Sequence, residues 1–350
     1  TFLNDSLAGI NGKTVADATA LLDQAAPQTE TIAGSTVAAQ GVTNSVQGII
    51  SNRMASLRSG DAFAGSGMSA GSGMSAKSGF IQAFGSTAEQ KSRTVITGFD
   101  SDSAGVAIGF DGISDAGTTV GVSLSMSNTD VEGKGIGKSK NDMDTYTASI
   151  YMDKATDAGY VEGSFTFGMS ENATSRKITQ TGIARNLSGE YDSSQLSINI
   201  GAGMPMDVGS GYVTPFGSFT GTKIDTDAYL ETSTVAADAL RLNISQDDVT
   251  SVVGTVGVKY HNVMDNGGTP MISLALNNEF GDKTIGSANT YSGGGTAFKT
   301  STDVEALSAT LGLGYSMGND YTSIEFAAEA DANDDKYLSY GGSIKIVGKF

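Results

Sequence analysis

Between residues 79 and 350 lie successive segments in which apolar side chains recur at every second position. In Thr118–Asn128, Val120, Val122, Leu124 and Met126 interleave with Thr119, Gly121, Ser123 and Ser125. The same alternation runs through Gly159–Gly168 (Val161, Phe165, Phe167), Ser194–Met204 (Leu196, Ile198, Ile200), Asp303–Met317 (Leu307, Leu311, Leu313, Tyr315) and Leu338–Phe350 (Leu338, Tyr340, Ile344, Ile346). A period of two marks a strand with one apolar and one small or polar face. No apolar run approaches the roughly 18 residues that a membrane helix requires, which excludes a helical membrane protein. A membrane β-barrel stays open, because its strands need only about 9 to 11 residues each.

The connections alternate as well. Short ones fall at Ser114–Gly117, Ala155–Ala158, Asp207–Gly211, Met264–Gly268 and Met317–Asp320. Longer polar ones fall at Glu89–Thr97, Asp130–Asp142, Asn172–Leu187, Glu231–Leu240 and Gly281–Ser301, with a tighter one at Asn333–Asp335. Between them lie about twelve strands in one meander, with short turns on one side and long loops on the other, the plan of an outer-membrane barrel.

Periodicity does not say which face meets water. A soluble sandwich buries its apolar face, and a membrane barrel turns it to lipid. The polar face here is rich in Gly and Ser and poor in Lys and Arg, unlike a water-facing surface. The apolar face carries aromatics near strand ends (Tyr160, Tyr260, Tyr315, Tyr340, Phe350), as interfacial girdles require. Both features favour lipid.

The N-terminal part follows another rule. A short helix is expected around Ala16–Leu22, broken at Pro27. A second is expected over Val42–Arg58, with Val46, Ile49, Ile50, Met54 and Leu57 at helical spacing among Asn44, Gln47, Asn52, Arg53 and Arg58. Residues 59–78 contain Gly65-Ser66-Gly67-Met68-Ser69-Ala70, repeated at once as Gly71-Ser72-Gly73-Met74-Ser75-Ala76, and read as a flexible linker.

Composition removes several function classes. Lys and Arg number 21 against 38 Asp and Glu, a formal net charge of −17, which argues against nucleic acid as a partner. There is no Cys and one His, His261, so thiol chemistry and metal sites built from several imidazoles are out. Gly67-Met68-Ser69-Ala70-Gly71 matches a nucleophile elbow, but it lies in a duplicated linker without the strand and helix that the motif needs. Asp100-Ser101-Asp102 and Asp331–Asp335 lack the order of a calcium loop and read as solvated acidic tips. His261 is expected near the end of a strand, with no chemical role. No catalytic, metal or cofactor site is expected.

The order of motifs resembles the C-terminal translocator β-domain of classical autotransporters, the type V secretion proteins of Gram-negative bacteria. The resemblance begins with a pre-barrel helix ending Asn52-Arg53-Met54-Ala55-Ser56-Leu57-Arg58 and a first strand Gly79-Phe80-Ile81-Gln82-Ala83-Phe84-Gly85. It continues with Thr97-Gly98-Phe99-Asp100, Gly105-Val106-Ala107-Ile108-Gly109-Phe110-Asp111, Tyr146–Tyr151 and Gly189-Glu190-Tyr191-Asp192, and ends at Phe350. Two features depart from it: the chain has no Trp, and Gly348 stands where an aromatic commonly precedes the final Phe.

The resemblance implies an all-β fold, a 12-stranded antiparallel transmembrane barrel with an N-terminal α-helix in its pore. It implies residence in the outer membrane, with lipid, the β-barrel assembly machinery and an upstream passenger as partners, and a monomer. Residues 1–41 then form the junction with the passenger, 42–58 the pore helix, 59–78 the linker and 79–350 the barrel. On that plan Asn52, Arg53 and Arg58 lie on the pore helix. Glu162, Glu305, Glu325 and Glu329 are expected to line the lumen and meet the two Arg in a weakly screened space, since a carboxylate facing lipid is costly. Ile344, Ile346 and Phe350 supply the terminal assembly signal. Some relatives cut off the passenger by cyclising an Asn in the barrel. Asn52 and Asn44 are placed for this, but the paired Asn of that subgroup is absent, so an uncut helix is expected. The competing functions are an open porin or channel, which needs no N-terminal helix and linker, and an adhesin acting through its loops.

Overall fold

The computed structural model describes residues 14–58, 74–93, 96–114, 116–180, 183–319 and 321–350. The linker repeat and its nucleophile-like motif lie outside the described residues, apart from its last positions, which open the first strand.

The alternating segments become twelve barrel strands: β1 (Met74–Gln90), β2 (Phe99–Ser114), β3 (Thr118–Gly133), β4 (Lys140–Thr156), β5 (Gly159–Gln180), β6 (Ile183–Gly203), β7 (Tyr212–Thr226), β8 (Val249–His261), β9 (Thr269–Glu279), β10 (Leu307–Gly318), β11 (Thr322–Asn333) and β12 (Tyr337–Lys349). Each pairs antiparallel with its neighbours in sequence, and β1 pairs with β12 from Ser78↔Lys349 to Gln90↔Tyr337, closing the barrel. Closure removes every strand edge within the wall, the condition for crossing a bilayer with strands.

The faces are inverted relative to a water-soluble protein. Along β3, Ser123, Ser127 and Thr129 are buried, while Val122, Leu124 and Met126 are 50%, 58% and 55% exposed. Exposing a Leu or Met to water forgoes about 1.5–3 kcal/mol per side chain. Repeated around the wall, that pattern is stable only against hydrocarbon. Inside, hydroxyls pair across neighbouring strands, as Ser125 with Thr147 (2.6 Å), Thr145 with Ser170 (2.8 Å) and Ser197 with Thr222 (2.9 Å). These small residues leave room for a helix.

The N-terminal part holds α1 (Val15–Ala25) and α2 (Thr29–Arg58). Pro27 ends α1, because it has no N–H to continue the ladder. The α2 helix has 30 residues, so it begins thirteen positions before the expected Val42. Its first half, Thr29–Gly41, mixes Thr, Ser, Gly and Ala without an apolar stripe and has modest helix propensity. Enclosure supplies what propensity lacks, and residues on all sides of α2 are buried. At about 1.5 Å per residue, 30 residues span roughly 45 Å, more than the roughly 30 Å hydrocarbon core.

Three apolar clusters line α2. Val46, Ile49, Ile50 and Met54 pack with Phe80, Ala107, Tyr151 and Val347. Ala38 and Ala39 meet Phe99, Val131, Met143 and Ile224. Ile32 and Ala33 meet Tyr191, Tyr229, Leu242, Ile244, Val249 and Ile285. Gly34 allows the closest approach: a Cβ there would lie 2.7 Å from Val131 and 2.9 Å from Phe99.

The long connections hold more structure than their polarity suggests. Asn172–Leu187, read as a loop, is almost entirely strand. β5 and β6 have 22 and 21 residues, about twice what a bilayer needs, and pair out to Gln180↔Ile183. Beyond the membrane a strand has no lipid face, so the period-two signal fades while the ladder persists. The β7–β8 and β9–β10 connections build a separate four-stranded sheet from Tyr229–Leu230, Leu242–Gln246, Thr284–Tyr291 and Phe298–Asp303. Asp100–Asp102 and Asp331 belong to β2 and β11 rather than to loop tips.

Candidate functional site: the occupied pore

The C-terminal half of α2 places its two Arg against the wall at the short-turn end. Arg53 is fully buried and forms a bidentate pair with Asp111, Nε to Oδ2 at 2.7 Å and Nη2 to Oδ1 at 2.8 Å. Ser78, the cross-strand partner of Asp111, donates to Oδ1, and the Tyr151 hydroxyl donates to Oδ2 at 3.0 Å. Burying an ion pair is costly unless its remaining sites are hydrogen-bonded. The wall supplies those bonds to the carboxylate, while Nη1 of Arg53 has no hydrogen-bond partner among the described residues. The partner of Arg53 is therefore an Asp of the Gly109-Phe110-Asp111 segment and not one of the four Glu expected.

Arg58 lies at the last turn of α2, where a cation also complements the helix dipole. It pairs with Asp153 and, at 2.9 Å, with Glu162, and its guanidinium sits 3.5 Å above the Tyr160 ring. Tyr160 thus faces the lumen beside Glu162. With Val161 turned to lipid, alternation requires this, so Tyr160 leaves the expected aromatic girdle. Ser51 donates to the other oxygen of Glu162 at 2.7 Å.

Glu325 forms a third contact. It accepts from Ser56 at 2.9 Å and pairs with Lys345 at 2.9 Å, and the two wall residues are directly opposite across β11 and β12. Glu329 shares the inner face of β11 with Glu325 and Asp331 and makes no hydrogen bond or ion pair with α2 among the described residues. Glu305 lies elsewhere: β10 begins only at Leu307, so Glu305 sits exposed in the connection above the wall. The alternation read over Asp303–Met317 starts four residues too early. Asn52 is half-buried on α2. Ile344 and Ile346 face lipid on β12, and Phe350 is 76% exposed just past its end.

Sequence reasoning missed Asp111, Asp153, Tyr151 and Lys345. Asp111, Tyr151 and Lys345 lie in clearly alternating segments, and that alternation places all three on the inner face. What sequence lacked was the rotation of α2 about its axis. Higher in the lumen, Thr43 donates to Gln195 (2.7 Å), Gln47 to Ser197 (2.7 Å) and Asn141 to Ser35 (2.9 Å). The helix lies nearer the β2–β5 wall. A cavity of about 340 Å³ remains on the far side, bordered by Tyr212, Thr214, Lys259, His261, Thr269 and Met271. His261 stacks on Tyr212 there, with ring centres 5.2 Å apart.

A closed twelve-stranded barrel with a lipid-seeking outer face, threaded by a helix of its own chain, defines a translocator domain. Residues 79–331 match the family model described as the autotransporter β-domain, and the chain belongs to that family. It is similar in structure to the translocator domain of the autotransporter NalP from Neisseria meningitidis, with a TM-score of 0.65 and 15% identity, over 89% of this chain and 98% of that one. It is also similar to the β-domain of the Bordetella autotransporter BrkA, with a TM-score of 0.56 and 15% identity, over 77% of this chain and 99% of that one. The transport unit of AIDA-I from Escherichia coli gives a TM-score of 0.60 at 10% identity, over 78% and 90%. At such identities the likeness is one of fold. No curated protein matches the sequence.

Proposed function

We propose that the chain exports a passenger linked upstream of α2 and then keeps α2 in the lumen as a plug. The barrel lies in the outer membrane, with its short turns in the periplasm and its long connections at the cell surface. The observation that carries this reading is the polarity of α2. Its C-terminus, with Arg58, lies at the short-turn end, and its N-terminus lies among the long connections. Whatever is joined before α2 therefore leaves on the surface side. Lipid and the barrel assembly machinery are the partners of insertion, with Ile344, Ile346 and Phe350 as the terminal signal, and the working form is a monomer. The helix remains uncut at Asn52. A channel reading has less support, because α2 lies in the lumen and is bonded to its wall along its length.

The test places a reporter domain before Thr1 and expresses the whole chain in a Gram-negative cell. Protease added to intact cells is expected to remove the reporter while the barrel stays folded and α2 stays covalently attached. A folded barrel whose reporter is cut only after the outer membrane is broken overturns the reading. Loss of mass at Asn52 overturns the uncut plug.

A further inference from the structure

The surface end of the pore holds a group of contacts that plugging does not use. They surround the elbow between α1 and α2, residues 24–31. Arg176, on the extension of β5, is the centre. Its side chain is buried and all five of its N–H donors are engaged. Nε and Nη2 bind the two carboxylate oxygens of Glu231 at 2.7 and 2.8 Å, and Nη2 also donates to the Leu240 carbonyl at 3.2 Å. Nη1 donates to the carbonyls of Gln24 (2.7 Å) and Ala25 (3.3 Å).

Those two carbonyls are among the last of α1, the groups a helix leaves without partners. Other side chains meet the same end. The Tyr291 hydroxyl donates to the Ala25 carbonyl at 3.2 Å, and the Thr179 amide donates to the Gln24 side chain at 2.8 Å. Gln28 folds back onto the Ala26 carbonyl at 2.9 Å. Beneath, Leu21 and Ala25 pack on Ile178, Ile183, Leu187 and Leu240.

The β3–β4 connection closes the opposite side. From the last residue of β3 the chain reads Gly133-Lys134-Gly135-Ile136-Gly137, and the alternate glycines lie against the elbow. A Cβ on Gly135 would come within 2.1 Å of Glu30 Oε1, and one on Gly137 within 2.6 Å of Gln28 Oε1. Thr31 shares a hydrogen bond with Ser139. The outer sheet completes the ring by burying Leu242, Ile244 and Ile285 against Ile32 and Ala33.

We propose that this collar is an exit latch that recognises the C-terminal end of α1. Two of the five Arg176 donors and part of the apolar side of the outer sheet have partners only when the elbow is in place. The connections therefore complete their fold after the elbow has cleared the lumen. Once closed, the collar opposes return of α2 toward the periplasm, independently of Arg53 and Arg58. The collar rests on the export reading for its direction, since only export places it at the cell surface.

The test is hydrogen exchange on the full chain in detergent, comparing Arg176→Met with the parent. Amides of residues 24–32 are expected to exchange about tenfold faster, while residues 50–57 and the barrel change less than about twofold. Tyr291→Phe removes one hydroxyl without a charge change and is expected to give a smaller effect at the same amides, about threefold. It also stands in should Arg176→Met fail to assemble. Unchanged exchange at 24–32 in both variants overturns the latch, and so does equal acceleration along all of α2. A surface-added protease separates this from the export reading. With the latch correct, the elbow is cut on intact cells in the variants and resists in the parent. If direction alone is wrong, exchange responds as expected but cutting requires broken cells.

Discussion

The two ends of α2 are held by different physics. At the turn end the helix offers two charges and a hydroxyl. The rigid wall answers the charges with Asp111, Asp153 and Glu162 and the hydroxyl of Ser56 with Glu325, all from regular strands. At the surface end α2 offers apolar side chains and the elbow before it offers the last carbonyls of α1. The answer comes from Arg176 on the β5 extension and from connections: Tyr291, three glycines and the outer sheet. The wall is complete once the strands pair. The collar depends on the elbow it encloses. A plug held only by the first kind of contact would leave the surface end of the barrel open.

The most damaging way to break the turn end is Asp111→Ala. It leaves Arg53 buried without a counter-charge, at about 3–5 kcal/mol. In planar bilayers the parent chain is expected to stay closed and the variant to open for long periods. Arg53→Met combined with Asp111→Leu should recover most of the loss, because a packed apolar pair replaces a buried ionic one with little penalty. A closed, equally heat-resistant Asp111→Ala chain would show that this pair does not hold the plug.

Arg58→Ala should cost less, about 1–3 kcal/mol, because Arg58 keeps some contact with solvent. Brief openings are expected rather than long ones. Arg58→Lys should restore the charge but not the stacking on Tyr160, and so recover only part.

At the surface end, Gly135→Val tests the close approach. Its Cβ overlaps Glu30, which can swing aside, so a cost of about 1–2 kcal/mol is expected. Exchange at residues 28–32 should rise while the pore stays closed. A pore that opens instead would mean that the two ends are not separate.

Glu30 sharpens the comparison through pH. Burial is the main influence and raises its carboxyl above the ordinary 4.5, partly opposed by the amides of Glu30 and Gly135. The closed collar therefore binds the proton more tightly than the open one. Its protection is fullest below pH 4.5 and falls as pH rises through the raised value. Glu30→Gln should abolish this dependence, read as exchange at 24–32 corrected for intrinsic rates. The smallest effect is expected from Glu132→Gln. Its pair with Lys140 is more than half exposed on both sides, and neither exchange nor opening should change measurably.

Legibility followed the membrane. Where strands cross it, Val120, Val122, Leu124 and Met126 had to alternate with small residues, so face and short turns could be read. Where β5 and β6 leave it, Asn172–Leu187 lost that pattern and looked like a loop. Tyr160 was assigned by its aromaticity, although its neighbours Val161 and Glu162 already put it inside. Glu162 and Glu325 could be placed by alternation, while Glu305 fell before the strand that was meant to carry it.

Sequence alone determined the wall: a strand count, an apolar outside, a small polar inside and a preceding helix with two Arg. Those follow from local rules, the period of a strand and the cost of a charge in hydrocarbon. Only the tertiary structure decided which acids meet Arg53 and Arg58, that α2 begins at Thr29, and that the connections close over it. Each of these depends on the rotation and depth of one helix in the lumen. That placement is set by many weak contacts from residues far apart in the chain, which no local pattern records.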